Sequence, residues 1–349
     1  MERLIDMKIC IYSDVHFCEY SSIVRSHTDR YSTRLENLIK TLNWAEAEAI
    51  RNGCDQIICL GDFFDRPDLN SRELTALQEI NWAKLPHTFI VGNHEASNKA
   101  LTHNSVSALK NLGFNIITKP EIMFAINTSI LLLPYCLEED RKPLAEYWSG
   151  CDDLLPKRII LSHNDIKGIR YGAIESKEGF EICDIQENCD LFLNGHLHNG
   201  DCFAPKCFNL GNLTGQNFGE DAHNYSHNVY ILDTVANSLE AIENPYALNF
   251  YKIECIDVND IQKLEGLKEN AVVSIKCLHE DKDAIQSKLN DLSDKIIDVR
   301  ITTIRQVTEG SLEDIADLSV DHLARFAEFC RQRIDNNDIL ESEIAEVCK

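Results

Sequence analysis

No lysine- or arginine-rich run occurs in this chain, whose 34 basic residues face 57 acidic ones for a net charge of −23. Affinity for nucleic acid rests mainly on neutralising phosphates, so this balance argues against a general DNA or RNA binder working alone. The acidity is spread along the chain rather than gathered in one tail. No apolar run approaches the roughly 18 residues that cross a bilayer. The first residues, MERLIDMKICIYSD, lack the apolar segment of a secretory signal. Cys-x-x-Cys pairs are absent too, and the 14 cysteines sit in a chain too long for a disulfide scaffold. Cys10, Cys59 and Cys277 lie in apolar strands, where buried thiols are common. Cys202 and Cys207 have no second pair and read as structural rather than as a zinc site. Together these absences point to a reducing cytoplasm, bacterial or that of a phage-infected host. Repeats and low-complexity tracts are missing as well. With 44% hydrophobic residues, 349 residues suit one large domain and a smaller one.

What is present is a series of short polar runs, each at the end of a strand-like stretch. KICIYS leads to Asp14-Val15-His16, QIICL to Gly61-Asp62-Phe63-Phe64-Asp65, HTFIV to Gly92-Asn93-His94-Glu95, RIIL to Ser162-His163, and DLFLN to Gly195-His196-Leu197-His198. One such histidine is usually structural. Five runs in order, all at strand ends, build a two-metal site. Imidazole, carboxylate and one amide suit Mn(II) first, with Fe(II) or Zn(II) compatible, whereas Mg(II) takes mainly oxygens. Two cations about 3.5–4 Å apart would hold the attacking and leaving oxygens of a displacement at phosphorus. Asp62 is the natural bridge between them, and His94 is left beside the metals as a free acid.

This constellation resembles the calcineurin-like metallophosphoesterase superfamily over roughly residues 8–235. The resemblance implies an α/β fold of two packed β-sheets flanked by helices. It makes Asp14, His16, Asp62 and His198 ligands of the first metal, and Asp62, Asn93, His163 and His196 ligands of the second. His94 then resembles the proton donor to the leaving oxygen, and Asp65 the carboxylate orienting it. Glu95 departs from the pattern, since Asp is commoner there.

Further stretches resemble the nuclease subunit of the double-strand-break repair complex, SbcD in bacteria and similar phage recombination nucleases. These are Leu132-Leu133-Pro134-Tyr135, Asn209-Leu210-Gly211-Asn212-Leu213 through Asn217-Phe218-Gly219-Glu220, and Asp317-Leu318-Ser319 before an amphipathic helix. Phe17-Cys18 and Gly211-Asn212 depart from that pattern, which has Leu-Gly and Gly-Ser. The branch implies a DNA exo- or endonuclease, a homodimer, and a coiled-coil ATPase partner of the SbcC kind. The alternative is a stand-alone phosphatase acting on phosphoproteins or small phosphate esters. Gly61-Asp62-Phe63-Phe64-Asp65-Arg66 leans that way, since it resembles a phosphatase run whose arginine contacts phosphate. A scaffold with decayed metal sites is disfavoured because every ligand position is filled. Arg25 and Arg30 read equally as contacts at the cleft mouth or as part of a solvated loop.

Periodicity predicts helices over 32–52, 71–84 and 98–112, then short strands of a second sheet from about 120. Asn244-Pro245 marks a boundary. Residues 1–245 form the catalytic domain, 246–308 a small α+β capping domain, and 309–349 a helical partner-binding segment. In that last segment Leu323, Phe326, Ala327, Cys330 and Ile334 make one apolar helix stripe. Leu74, Leu77, Leu101 and Leu109 are spaced for packed faces, against either a second copy or the chain's own sheet.

Overall fold

A computed structural model describes residues 6–304, apart from 22, 25–29, 150, 172–173 and 256–257. Arg25, the stripe at 321–334 and the segment 309–349 lie outside the described residues.

Two six-stranded sheets face each other. In the first, strands run in the order Ser238–Glu243, Asn228–Asp233, Lys8–Tyr12, Gln56–Cys59, His87–Ile90 and Asn115–Ile117. The second runs Asp201–Ala204, Cys207–Asn209, Leu191–Asn194, Lys157–Ser162, Thr128–Leu133 and Glu121–Ala125. The central strands of each sheet are parallel. They are apolar on both faces because both are covered. Ile9, Ile11, Ile58 and Ile90 point between the sheets, onto Ile130, Ile159, Leu161 and Leu193. Cys10, Tyr12, Ile57 and Phe89 point outward, onto Leu35, Leu38, Leu42, Ala45 and Ala49 of the helix Thr33–Arg51. Each of those buried leucines is worth about 2–5 kcal/mol over alanine. On the far side, Leu131, Ile160 and Phe192 meet Leu144, Trp148 and Ile185 of two short helices. The result is the expected architecture, two packed sheets with helices outside.

The helix Thr33–Arg51 forms where the periodicity places it, capped by Ser32, whose hydroxyl accepts from the Leu35 amide. The next two are shorter than expected. Ser71–Leu77 begins with a capping box between Asn70 and Glu73 and stops seven residues early. Beyond it, the Asn81 and Ala83 amides donate to side chains of the long helix, Asn43 and Glu46, rather than to carbonyls one turn back. Residues 97–104 form a loop instead of a helix start. Asn98 accepts from the Leu101 and His103 amides, and Leu101 takes a left-handed backbone (φ 53°). A 3-10 helix then spans Ser105–Leu112 with Asn104 as its cap. Leu77, Leu101 and Leu109 are buried within the chain, and Leu74 is exposed.

A third sheet of three parallel strands, Asn249–Cys255, Ala271–Leu278 and Ile296–Ile304, carries the helix Lys282–Asp291 through Ile285 and Leu289. The chain enters this unit past Asn244, buried, whose amide nitrogen donates to the Leu213 carbonyl.

Candidate metal centre

All five polar runs lie just past the ends of the parallel strands, on the same side of the molecule. Lys8–Tyr12, Gln56–Cys59 and His87–Ile90 deliver Asp14 and His16, Asp62, and Asn93; Lys157–Ser162 and Leu191–Asn194 deliver His163, and His196 and His198. The Asp14 and His16 amides donate to the Gly61 and Asp62 carbonyls at 3.0 and 2.9 Å, so the first two loops are laced together. Asp14, His16, Asp62 and His196 all take left-handed backbones, with φ of 51°, 46°, 47° and 73°. Such strain in four polar, non-glycine residues persists only where the surroundings enforce it.

The ligand atoms gather into two groups. Those of Asp14, His16 and His198 lie within 4.8 Å of one another, and so do those of Asp62, His163 and His196. Asp62 Oδ2 joins the groups, 3.1 Å from His163 Nε2 and 3.8 Å from His16 Nε2. Its other oxygen accepts from the His94 amide at 3.0 Å. Asn93 Oδ1 lies 3.3 Å from His163 Nε2 and 3.0 Å from His196 Nδ1. The seven predicted ligands therefore converge, with Asp62 between the two groups.

The donor set fits two cations. Asp14 Oδ1 and His16 Nε2 are buried, face this cluster and have no hydrogen-bond partner among the described residues. Such orphaned groups call for an ion or water. Charge asks for the same. Burial alone would lower His163, yet the facing Asp62 and Asp14 carboxylates raise it to about 9. Bound cations would take the place of those protons. Two glycines clear the space: a Cβ on Gly92 would stand 2.2 Å from Asp62 Oδ1, and one on Gly195 2.0 Å from Ser13 Oγ.

His94 lies on the open side, with its side chain 44% exposed and its ring centroid 4.6 Å from that of His16. Asp65 meets two histidines. Its carboxylate bonds His16 Nδ1 at 3.1 Å and lies 3.9 Å from His94 Nδ1, which its main-chain carbonyl meets at 3.2 Å. The His16 bond is also the main reason the Asp65 carboxyl sits below its ordinary range. Donation from His94 Nδ1 to that carbonyl leaves Nε2 for chemistry.

Arg66 is engaged through one of its guanidinium nitrogens, Nη2. Its guanidinium holds the buried Glu73 carboxylate at 2.7 and 2.8 Å. Arg30 pairs with Glu79 at 2.8 Å.

Several supporting residues escape the motif reading. Ser13 Oγ donates to Asp14 Oδ2, and Glu220 accepts from His198 Nδ1 at 2.9 Å. Glu220 lies in a recognised stretch without a role there, and with Asp221 next to it residue type alone does not single it out. Glu95 holds the loops themselves. Fully buried, it accepts from the Phe63 and Phe64 amides through Oε1 and from the Gly92 amide through Oε2 at 2.7 Å. Replacing it by alanine strands three buried N–H groups, at about 1–3 kcal/mol each. Glu95→Ala should therefore lower the melting temperature by at least about 5 °C in calorimetry. Glu95→Asp, one methylene short, should fall between the variant and the parent.

Fold and site together define a hydrolase of phosphate esters built to work with two metal ions. The calcineurin-like phosphoesterase profile matches residues 7–200, more than half of the chain, and the chain belongs to that family. Among solved structures it is similar to a dimetal phosphatase from Danio rerio, at 14% identity and TM-score 0.40, covering 69% of this chain and 99% of that one. A Thermus thermophilus protein aligns at 13% and 0.41, covering 68% and 99%. The calcineurin-like phosphoesterase YfkN of Bacillus subtilis aligns at 13% and 0.34, covering 69% and 89%. No curated protein matches the sequence.

Proposed function

We propose that this metal-dependent phosphoesterase is a DNA phosphodiesterase, the nuclease subunit of an SbcCD-like complex. The observation that carries the reading is the small α+β unit docked beside the metal centre. The Ala222 amide donates to the Phe250 carbonyl at 2.9 Å, and the Phe218 and Phe250 rings meet edge to face at 5.2 Å. Val24, beyond the first ligand run, packs into the same cluster with Val272 and Ile23. Phe218 is two residues from Glu220, which holds His198. The added unit is thus tied to segments that follow both ligand runs of the first metal group, and in this reading it lengthens the cleft. A long, polymeric substrate makes use of a longer cleft, and a small phosphomonoester does not.

A chain of net charge −23 needs a basic surface from elsewhere to hold DNA. In this reading it comes from a coiled-coil ATPase docked on the apolar stripe at 321–334, a helix-in-groove contact. A second copy of the chain completes the assembly in the cytoplasm, although of the four leucines expected to face it only Leu74 is exposed. Among the described residues no helix is long and apolar enough to cross a membrane.

The test offers the purified protein, loaded with Mn(II), labelled duplex DNA, single-stranded DNA, a small phosphodiester and p-nitrophenyl phosphate, with and without the ATPase. DNA and the small diester should be cut, DNA faster with partner and ATP. Turnover of the monoester alone would make the protein a phosphatase. Deleting residues 310–349 should keep metal content and diester cleavage but abolish ATP-stimulated DNA degradation. Full-affinity co-purification of the truncated chain with the ATPase would remove the docking helix from the reading.

A further inference from the structure

Three histidines of the cluster rest their second ring nitrogen on a carboxylate, and the partner of His196 comes from outside the recognised runs. Its Nδ1 points into the second ligand group beside Asn93, while Nε2 lies 3.1 Å from Asp165 Oδ1. His16 and His198 are arranged alike, on Asp65 at 3.1 Å and Glu220 at 2.9 Å. His163 differs, since its Nδ1 is buried with no partner. In the second group, therefore, Asp165 is the carboxylate behind a histidine.

The chain goes to some length to fix Asp165. The residue follows His163 by two, so one loop carries both a ligand and the prop for another. Its carbonyl accepts from the Phe180 amide at 3.0 Å, and Ile166 pairs with Phe180 in a single bridge. Gly179 lies flat against this turn. A Cβ there would stand 2.4 Å from the Asp165 carbonyl, and its φ of +116° is closed to other residues. From the open side the Tyr135 ring covers His196, with centroids 5.7 Å apart. His196 is thus held from behind by a carboxylate on a pinned loop and from the side by a ring.

We propose that Asp165 is a positioning residue for the second metal group, setting the ring orientation and the ligand nitrogen of His196 without touching metal or substrate. The inference rests on the two-ion reading of the site and is independent of DNA as substrate. Carboxylates behind ligand histidines typically contribute about 10–100-fold in metal affinity.

Metal-free wild-type protein and the Asp165→Asn and Asp165→Ala variants would be titrated with Mn(II), following heat of binding and the electron paramagnetic resonance spectrum. Wild type should take up two equivalents and end in the spin-coupled spectrum of a Mn(II) pair. In Asp165→Ala the first equivalent should bind unchanged and the second about 10–100-fold more weakly, so that an uncoupled signal persists at two equivalents. Asp165→Asn keeps an oxygen acceptor on the same backbone and should recover part of the loss. A general packing defect would weaken both equivalents alike and lower the metal-free melting temperature, which would overturn the assignment. So would wild-type constants for both equivalents in Asp165→Ala. A wild-type protein that bound a single equivalent would instead sink the two-ion reading on which the inference stands.

Discussion

Asp62→Asn should reduce phosphodiester turnover at least about 1,000-fold and leave the purified protein with less than one equivalent of firmly held metal. Asp62 Oδ2 faces both ligand groups, and its other oxygen is fixed by the His94 amide. Nothing else among the described residues spans the two groups in this way. An amide oxygen keeps the shape but loses the charge, and a neutral donor cannot neutralise two cations at once. When bound, the ions supply several kcal/mol of charge stabilisation to the transition state, and about 4 kcal/mol corresponds to about a 1,000-fold change in rate. Variants that touch one group should be selective. Asp14→Ala or His198→Ala should mainly empty the first, and His163→Ala the second. Elemental analysis that found two equivalents in Asp62→Asn, with normal turnover, would remove Asp62 from its place between the ions.

How much of this centre could be read from sequence depends on what carries the information. The ligands were legible because hard-metal chemistry restricts residue types and a parallel sheet restricts where they occur. Runs such as Gly92-Asn93-His94 and Gly195-His196-Leu197-His198 are that coincidence written in sequence. The sheets were legible from apolar strands such as QIIC and KRIILS, and the long helix from its leucine spacing and serine cap. Less visible was whatever depends on a third element. The helix expected over 71–84 stops at Leu77: the next three amides turn back to carbonyls three residues earlier, and those of Asn81 and Ala83 go to Asn43 and Glu46 of another helix. Periodicity has no access to such a competitor. The same holds for Asp165 and Glu220, ordinary acids in sequence that become the props of particular rings only once two loops have closed on them, and for the bond of Asp65 to His16. Left-handed φ angles at Asp14, His16, Asp62 and His196 are only weakly written in residue type, since aspartate and histidine enter that region more often than other side chains but usually lie outside it.

His94→Ala should lower kcat about 10²–10⁴-fold, the usual contribution of a general acid, while metal content stays at the wild-type value. The distinction follows from position. His94 contributes its main-chain amide to Asp62, which alanine retains, and its half-exposed ring lies beside that of His16 on the open side of the cluster. With Nδ1 donating to the Asp65 carbonyl, Nε2 is the nitrogen that can pass a proton to a departing oxygen. The loss should therefore depend on the leaving group. An alkoxide, such as the sugar oxygen of DNA, needs the proton and should show the full effect. A nitrophenolate departs without it and should show little. Asp65→Asn should behave differently from His94→Ala. It leaves the carbonyl beside His94 intact but removes the charge behind His16, so it should weaken the first metal equivalent more than it alters leaving-group dependence. Equal losses on alkyl and nitrophenyl diesters, or metal missing from His94→Ala, would show that His94 is a ligand or a structural residue and not the acid.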